Sequence, residues 1–195
     1  GALVGTTVYL AGGIETPDAT SALKNFWALD LSAPKPEWRE LDPWPGPGRM
    51  LAVAGAFENA FYLFSGAELH ADATGKPVRR YLTDAYRFTP GAGWKKLADL
   101  PRPAVAAPSP AIARQGRLLV VSGDDGRLVN FQPMSQHPGF PKNVLAYDPK
   151  QNKWTQLDGS PLSRATAPMA EWNGHAVIVN GEVHPGFRTP EVWEL

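Results

Sequence analysis

One short segment, residues 181–189, places a carboxylate and a guanidinium six residues apart. Glu182 follows an apolar strand pattern at 176–179, and Arg188 precedes a second alternating run at 192–195. A positioned carboxylate can accept and return a proton, and a guanidinium binds carboxylates through paired hydrogen bonds. Two glycines and a proline predict tight turn geometry between the two side chains. The segment is therefore the first candidate for a catalytic loop.

The strands that must position this loop belong to a repeated pattern. Four strand patterns end in a glycine, at intervals of 53, 57 and 58 residues: Gly13, Gly66, Gly123 and Gly181. Two further series keep the same phase, namely aromatic strands near residues 27, 86 and 147 and tryptophans at residues 38, 94 and 154. Because three markers hold one register, the chain is predicted to consist of four similar structural units.

The sequence of each unit predicts four strands. A single sheet of that size cannot bury both of its faces. Radial stacking buries those faces and leaves only short edges, as in a β-propeller. The prediction is an all-β, single-domain propeller over 1–195, with blades at about 1–48, 49–101, 102–161 and 162–195. The first blade is expected to lack its innermost strand and the fourth its outermost strand. This predicts part of a longer propeller, and a four-bladed ring or a designed fragment is the alternative.

Charged residues recur at fixed places in these units. Acids follow the strand-ending glycines, at Glu15, Glu68, Asp124, Asp125 and Glu182. Arginines precede three of the first strands, at Arg49, Arg102 and Arg164. Loops on a rigid scaffold often carry binding and catalytic side chains, so all of these charges are candidates. Most of them are expected to be solvated rim charges or hydrogen bonds between blades, which leaves the fourth loop as the sharpest candidate.

Composition excludes several classes of function and site. Lys and Arg together number 19, as do Asp and Glu, so no overall field attracts nucleic acid or an anionic membrane. The absence of Cys excludes disulfides and thiolate zinc sites. No apolar run reaches the length of about 18 residues that a membrane span requires. The histidines at 70, 137 and 175 show no metal spacing, and no glycine-rich loop opens a helix to bind phosphate. No metal or cofactor is predicted.

The glycine, tyrosine and tryptophan pattern resembles the kelch repeat over the whole chain. Within it, Gly181-Glu182-x-x-Pro185-Gly186-x-Arg188-Thr189 resembles the corresponding loop of the bacterial N-acetylneuraminate epimerase (sialic acid mutarotase) family. The stretches Tyr147 to Lys150 and Pro47 to Arg49 are similar to that family's first blades. The family's kelch propeller usually has six blades, and its insertion in the third unit tends to be longer than residues 124–142.

The resemblance implies an isomerase that interconverts the anomers of N-acetylneuraminate or a similar acidic sugar. Glu182 would be the catalytic proton acceptor and Arg188 its partner in the active site, with Arg49 as a candidate substrate contact. Glu68 and His184 are further candidates for substrate binding, although a lone loop histidine is more often a surface residue. Opening the sugar ring needs a base for the anomeric hydroxyl and an acid for the ring oxygen, and one carboxylate can serve as both. No cofactor is needed for that chemistry.

The resemblance also implies a periplasmic or secreted protein whose partner is an acidic monosaccharide, and it leaves a homodimer open. Two other functions fit the sequence. A kelch propeller can be a non-catalytic scaffold that binds a protein through an exposed patch of aromatic residues and arginine. The aromatic candidates for such a patch are Trp44, Phe131, Phe140 and Phe187. A propeller that binds carbohydrate without turnover is the third alternative.

Overall fold

The computed structural model describes residues 1–160 and 162–195, which form strands, turns and loops apart from one short 3₁₀ turn at Met134–Gln136. The strands build four radially arranged sheets, a four-blade β-propeller arrangement. The all-β propeller predicted from the repeats is therefore confirmed. Pro161, at the predicted end of the third blade, lies outside the described residues.

The strands of each antiparallel sheet follow one another in chain order from the centre outward. In the first blade, β1 to β4 are Ala2–Val4, Thr7–Ala11, Phe26–Asp30 and Trp38–Leu41. In the second blade, β5 to β10 are Val53–Phe57, Ala60–Phe64, Ala67–Ala71, Pro77–Tyr81, Ala85–Thr89 and Gly93–Lys96. In the third blade, β11 to β14 are Ile112–Arg114, Arg117–Val121, Asn143–Asp148 and Lys153–Asp158. In the fourth blade, β15 to β19 are Met169–Trp172, His175–Val179, Glu182–His184, Phe187–Arg188 and Val192–Glu194.

Two hairpins stand apart from these sheets. The pairs β7–β8 and β17–β18 are inserted between the second and third sheet strands of their blades. The segment 181–189 is therefore a short β-hairpin, and the second blade carries a longer one at the equivalent place. Neither hairpin was expected from the sequence, which predicted loops at both positions.

The first sheet has four strands, so the prediction that it lacks its innermost strand was wrong. Residues Ala2 and Val4 of β1 pair with Tyr9 and Thr7 of β2 across a two-residue turn that contains Gly5. Gly5 takes a φ angle of +58°, which suits glycine. A strand of three residues is too short to show the alternation of apolar and polar residues by which a strand is predicted from sequence. In the fourth blade, the sheet formed by the described residues has three strands.

Three hydrophobic clusters lie between consecutive blades and hold the propeller together. The repeated tryptophans of the outer strands take part in the first two of these interfaces. The indole of Trp94 packs on Phe26 at 4.7 Å and donates a hydrogen bond to the carbonyl of Asp42 in the preceding blade. Trp154 packs on Phe64 and donates to the carbonyl of Ala98 in the same way. The period seen in the sequence is therefore the period of the inter-blade contacts.

The segments that enter the innermost strands meet at the centre of the propeller. Leu51, Ala106 and Thr166 hold equivalent positions there and have φ angles of 56°, 53° and 49°. The amide of Ala106 donates to the carbonyl of Leu51 (2.8 Å), and the amide of Thr166 donates to the carbonyl of Ala106 (2.7 Å). We call these three residues the hub. Their hydrogen bonds fix the second, third and fourth blades relative to one another.

A second set of backbone bonds ties the segments beside the hub to the loops that carry the candidate residues. Three isolated antiparallel bridges join Met50 to Ala67, Val105 to Asp124 and Ala165 to Glu182. Each bridge begins at the residue that precedes a hub residue. Ala67, Asp124 and Glu182 therefore hold the same position in three successive blades.

Candidate active site

Glu182 and Arg188 lie directly opposite each other in the β17–β18 hairpin. Pro185 and Gly186 form its turn, and Gly186 has a φ angle of +78°. Arg188 Nη2 lies 3.6 Å from Glu182 Oε1, and the two side chains are 70% and 22% exposed, respectively. The structure thus brings together the two residues predicted to be catalytic, with the carboxylate mostly enclosed and the guanidinium mostly in solvent.

The position that Glu182 shares with Ala67 and Asp124 decides which way its side chain points. Ala67 is fully buried and packs with Met50 and Val105 beside the hub. Side chains alternate between the two faces of a strand, so residues at equivalent positions present the same face. Glu182 therefore lies on the hub-facing side of its hairpin.

Glu68 lies one residue beyond the equivalent position, on the opposite face of the β7–β8 hairpin. A shift of one residue along a strand turns the side chain to the other face. There Glu68 forms an ion pair with Arg80, its cross-strand partner. The substrate contact predicted for Glu68 is therefore not supported by its position, which faces away from the hub.

The predicted substrate contact of Arg49 is also corrected by the structure. Arg49 is completely buried, and its guanidinium forms a two-fold ion pair with Asp84 (2.8 Å for each bond). One of the same amino groups donates to the carbonyl of Ser65, and the rings of Trp44 and Tyr86 flank the guanidinium at 5.4 and 5.3 Å. This geometry gives Arg49 a structural role, because no sugar can reach it.

The other two arginines of this series are buried in the same way. Arg102 donates to the side chain of Asn143 and to the carbonyl of Ser122. Arg164 donates to Glu191 at 3.1 Å. These arginines were predicted to be solvated rim charges or hydrogen bonds between blades, and the structure instead shows a repeated brace that joins each entering loop to the start of the third sheet strand of the same blade.

His184, the remaining predicted contact, lies in the β17–β18 hairpin and faces the long loop of the third blade. Its ring stacks on His137 at 6.1 Å and packs against Phe187 at 4.2 Å. Its Nδ1 atom is buried and has no hydrogen-bond partner among the described residues. Nearby, the Ser163 hydroxyl accepts from the amide of Phe140 (2.7 Å) and donates to the carbonyl of Val183 (2.8 Å). The third loop therefore braces the hairpin that carries Glu182.

Sequence reasoning missed a polar pair on the hub-facing side of the second and third blades. The hydroxyl of Tyr81 donates to Asp124 Oδ2 at 2.7 Å. The amide of Gly126 donates to the other oxygen of the same carboxylate. Burial, with a further contribution from Asp124, raises the pKa of Tyr81 to about 12. The two residues are 43 positions apart in different blades, so no local pattern could have linked them.

This pair predicts a change in stability at high pH. Tyr81 keeps its proton in the folded chain up to about pH 12, whereas an unfolded tyrosine loses it near pH 10. Its contribution to the free energy of unfolding is therefore complete below pH 10 and is lost as pH rises through 12. Replacing Tyr81 by Phe should cost about 1.5–3 kcal/mol at pH 7, the range for a hydrogen bond to a charged group.

Urea unfolding of the wild type and Tyr81→Phe between pH 8 and pH 12 measures both effects. Above pH 10, the free energy of unfolding should fall less steeply for the variant than for the wild type, because the variant lacks the Tyr81 hydroxyl that titrates there. Burial also raises the pKa of Tyr147 to about 12, so Tyr147 contributes to the loss of stability at high pH in both chains. Equal slopes for the two chains would show that Tyr81 does not hold its proton as described.

The described residues offer no site for a metal and no membrane span. No three side chains of the types that bind metals come together within residues 1–160 and 162–195. In the same part of the chain, no helix has the length and apolar character needed to cross a membrane. What the hub-facing side does offer is a carboxylate and a guanidinium, the groups that acid–base chemistry on an anionic substrate requires.

Comparison with known proteins supports the resemblance seen in the sequence. No protein-family model matches the chain. The N-acetylneuraminate epimerase of Haemophilus influenzae (strain PittEE) is 30% identical over 217 residues, which cover 98% of this chain and 54% of that protein. The epimerase of Pasteurella multocida (strain Pm70) is 29% identical over 215 residues, covering 97% of this chain and 54% of that protein. The chain thus spans about half the length of the curated relatives it matches.

A solved structure shows the same fold. The structure of YjhT superposes with a TM-score of 0.70 at 19% sequence identity, over 95% of this chain and 64% of that one. At that identity the likeness supports the propeller architecture. Together with the relatives in two bacterial genera, it confirms the resemblance that the 181–189 motif predicted.

Proposed function

This chain is a relative of the N-acetylneuraminate epimerases over nearly its whole length, and from that relation we propose that it is an isomerase of acidic sugars. The reaction would interconvert the anomers of N-acetylneuraminate or a similar sugar acid. The proposal carries with it the periplasmic or secreted location that the resemblance implies. No cofactor takes part, because the ring opens and closes by proton transfer alone.

One observation carries the proposal: Glu182 is the carboxylate left available among four equivalent hub-facing positions. The amides of Gly13 and Gly123 each donate a hydrogen bond to the loop that enters a neighbouring blade. Ile14, which follows Gly13, is therefore equivalent to Asp124, which follows Gly123. The four hub-facing positions are Ile14, Ala67, Asp124 and Glu182. Two of these are apolar. The Asp124 carboxylate is already bound through both of its oxygens, whereas the Glu182 carboxylate has one loose contact among the described residues, with Arg188.

The geometry supports separate roles for Glu182 and Arg188. Glu182 takes the proton of the anomeric hydroxyl as the bond between the anomeric carbon and the ring oxygen breaks, and the same carboxyl group passes that proton to the ring oxygen. After rotation of the open-chain carbonyl, closure on its other face returns the protons and gives the second anomer. Arg188 is mostly in solvent, so its guanidinium can turn from Glu182 to the carboxylate of the sugar.

Exchange between the two anomers of N-acetylneuraminate, followed by NMR, tests the proposal. With the chain present at micromolar concentration, exchange should exceed the spontaneous rate in matched buffer. The gain should scale with the amount of chain added. An exchange rate that is the same with and without the chain would reject the isomerase.

A non-catalytic scaffold is the second candidate, and one exposed aromatic side chain favours it. Phe187 is 48% exposed and neighbours Arg188 in β18. Trp44 and Phe140, which were predicted to share such a patch, are 0% and 6% exposed and belong to the packed interior. A partner protein that binds this hairpin without any effect of acidic sugars on the melting temperature would favour the scaffold. Stabilisation by the sugar without anomer exchange would indicate binding alone.

A further inference from the structure

The third blade differs from its two neighbours in the charge of its buried brace. The brace partners Asp84, Asn143 and Glu191 hold equivalent positions, because the carbonyl of each accepts a backbone hydrogen bond from the residue that follows the second sheet strand. Two of these partners are carboxylates that neutralise an arginine, whereas Asn143 offers Arg102 only a neutral amide oxygen. Arg102 is therefore a buried cation whose charge its own brace leaves uncompensated.

The surroundings of Arg102 do not fully replace the missing carboxylate. Arg102 is 6% exposed, and burial lowers the pKa of its guanidinium to about 10. The charge of Asp125 offsets part of that effect, but this carboxylate makes its ion pair with Arg127, at 3.5 Å. Arg102 donates four hydrogen bonds within the described residues, all to neutral oxygens. A guanidinium has five N–H groups, so at least one of them remains available to a further acceptor.

A cavity of about 590 Å³ opens at this guanidinium, between the long loop 124–142 and the outer strands of the third blade. Arg102 and Asn143 line it, together with the exposed Lys142. Among the ion pairs of the described residues, none involves Lys142. Five of the other lining residues are apolar: Pro101, Leu128, Pro138, Phe140 and Pro141. Apolar walls with a few convergent polar groups are typical of small-molecule sites of this size.

The charges around the cavity favour a ligand with one negative charge. The lining contains three cations, Arg102, Arg127 and Lys142, and two carboxylates, Asp124 and Asp125. Both carboxylates are already engaged, the first by a tyrosine and a backbone amide and the second by Arg127. With the lining histidine neutral, one positive charge is left over. A single carboxylate on a ligand balances that charge.

We propose that this cavity binds a small organic carboxylate whose body is apolar. The carboxylate accepts a hydrogen bond from the available N–H of Arg102 and pairs with Lys142, while the body packs against the proline rings. The site is separate from the candidate active site, since none of the described residues that line the cavity belongs to the β17–β18 hairpin. This inference goes beyond the proposed function and does not rest on it, because the ligand needs no sugar ring.

Benzoate and benzamide are matched probes for this site, because they share one apolar ring and differ in charge. Titration of the whole chain with each probe at constant ionic strength, followed by NMR, gives two Kd values. We expect benzoate to bind about tenfold more tightly, since a hydrogen bond between charged groups contributes more than one to a neutral amide. Equal Kd values, or no measurable binding of benzoate, would overturn the inference.

Asn143→Asp gives the third blade the carboxylate that its neighbours already have. The new carboxylate neutralises Arg102 from within the protein, so benzoate should lose its advantage over benzamide. Gln151→Glu adds the same charge at an exposed position in the turn between β13 and β14, and it should leave that advantage intact. A tenfold preference for benzoate that persists in Asn143→Asp would contradict the role given to Arg102.

Two exposed cations show where benzoate binds. Lys142→Gln should weaken benzoate binding by about two- to fivefold, the contribution of an exposed ion pair, and it provides the test if Asn143→Asp does not fold. Arg188→Gln removes the guanidinium of the candidate active site and should leave the Kd of benzoate unchanged. An unchanged Kd in Lys142→Gln, or weaker binding in Arg188→Gln, would overturn the inference. None of these measurements uses anomer exchange, so the failure of this inference and the failure of the proposed function are distinguishable.

Discussion

Glu182→Gln should lower the rate of anomer exchange by about 10²–10⁴-fold, the usual contribution of a positioned acid–base group. The amide keeps the shape of the side chain but can no longer accept the proton of the anomeric hydroxyl. The variant should fold normally, because in the part of the chain that the structure describes the carboxylate makes one long contact, with Arg188, whose own side chain is mostly in solvent. NMR exchange measures the rate, and thermal unfolding checks the fold.

The two readouts together make this prediction specific. A slow variant with an unchanged melting temperature assigns proton transfer to Glu182. A variant that exchanges at the wild-type rate would exclude Glu182 as the acid–base group. A variant that is slow and also unfolded would show that the hairpin depends on the carboxylate, contrary to its loose contact in the structure.

Arg49→Met should reduce the free energy of unfolding by about 3–5 kcal/mol, the cost of removing one partner of a buried ion pair. Methionine preserves most of the side-chain volume between Trp44 and Tyr86 but leaves Asp84 without its cation. The Asp84 side chain is 15% exposed, so water compensates little for the loss. Urea unfolding at pH 7 measures the change.

The fourth blade provides a matched control for that experiment. Arg164 is 1% exposed and holds the equivalent position, but its partner Glu191 is 60% exposed. Arg164→Met should therefore cost clearly less than Arg49→Met, since water can solvate Glu191 once the arginine is gone. The double variant Arg49→Met, Asp84→Asn should recover part of the loss. Equal costs in the two blades would show that burial of the acid is not what makes the Arg49 pair important.

The repeat, the propeller class and most sheet strands could be predicted because their signals are periodic. The tryptophans at 38, 94 and 154 recur with the blades, and two of them, Trp94 and Trp154, each make the same hydrogen bond to the preceding blade. Strand β1 was missed because three residues before a glycine turn carry no period. The arginines were found in register but were expected to be solvated rim charges or hydrogen bonds between blades. Their burial could not be predicted, because burial of a charge depends on a partner from another segment, such as Asp84 for Arg49.

The sequence predicted the two charged residues of the candidate site, but it did not predict the surface that surrounds them. The motif brought out Glu182 and Arg188, and the hairpin brings their side chains to 3.6 Å. The sequence could not show that Glu68 faces the other way, because its face is set by the bridge between Met50 and Ala67. The Tyr81–Asp124 pair arises where loops of different blades meet, and such a contact leaves no spacing in the chain.

Glu182 differs from Glu68 in the face that it presents to the hub, and one NMR experiment tests that difference directly. Anomer exchange of N-acetylneuraminate is measured with wild-type, Glu182→Gln and Glu68→Gln chains at equal concentration. We expect Glu68→Gln to exchange at the wild-type rate and Glu182→Gln to fall to near the spontaneous rate. Equal rates for the two variants, or a loss confined to Glu68→Gln, would contradict the placement of the acid–base group at Glu182.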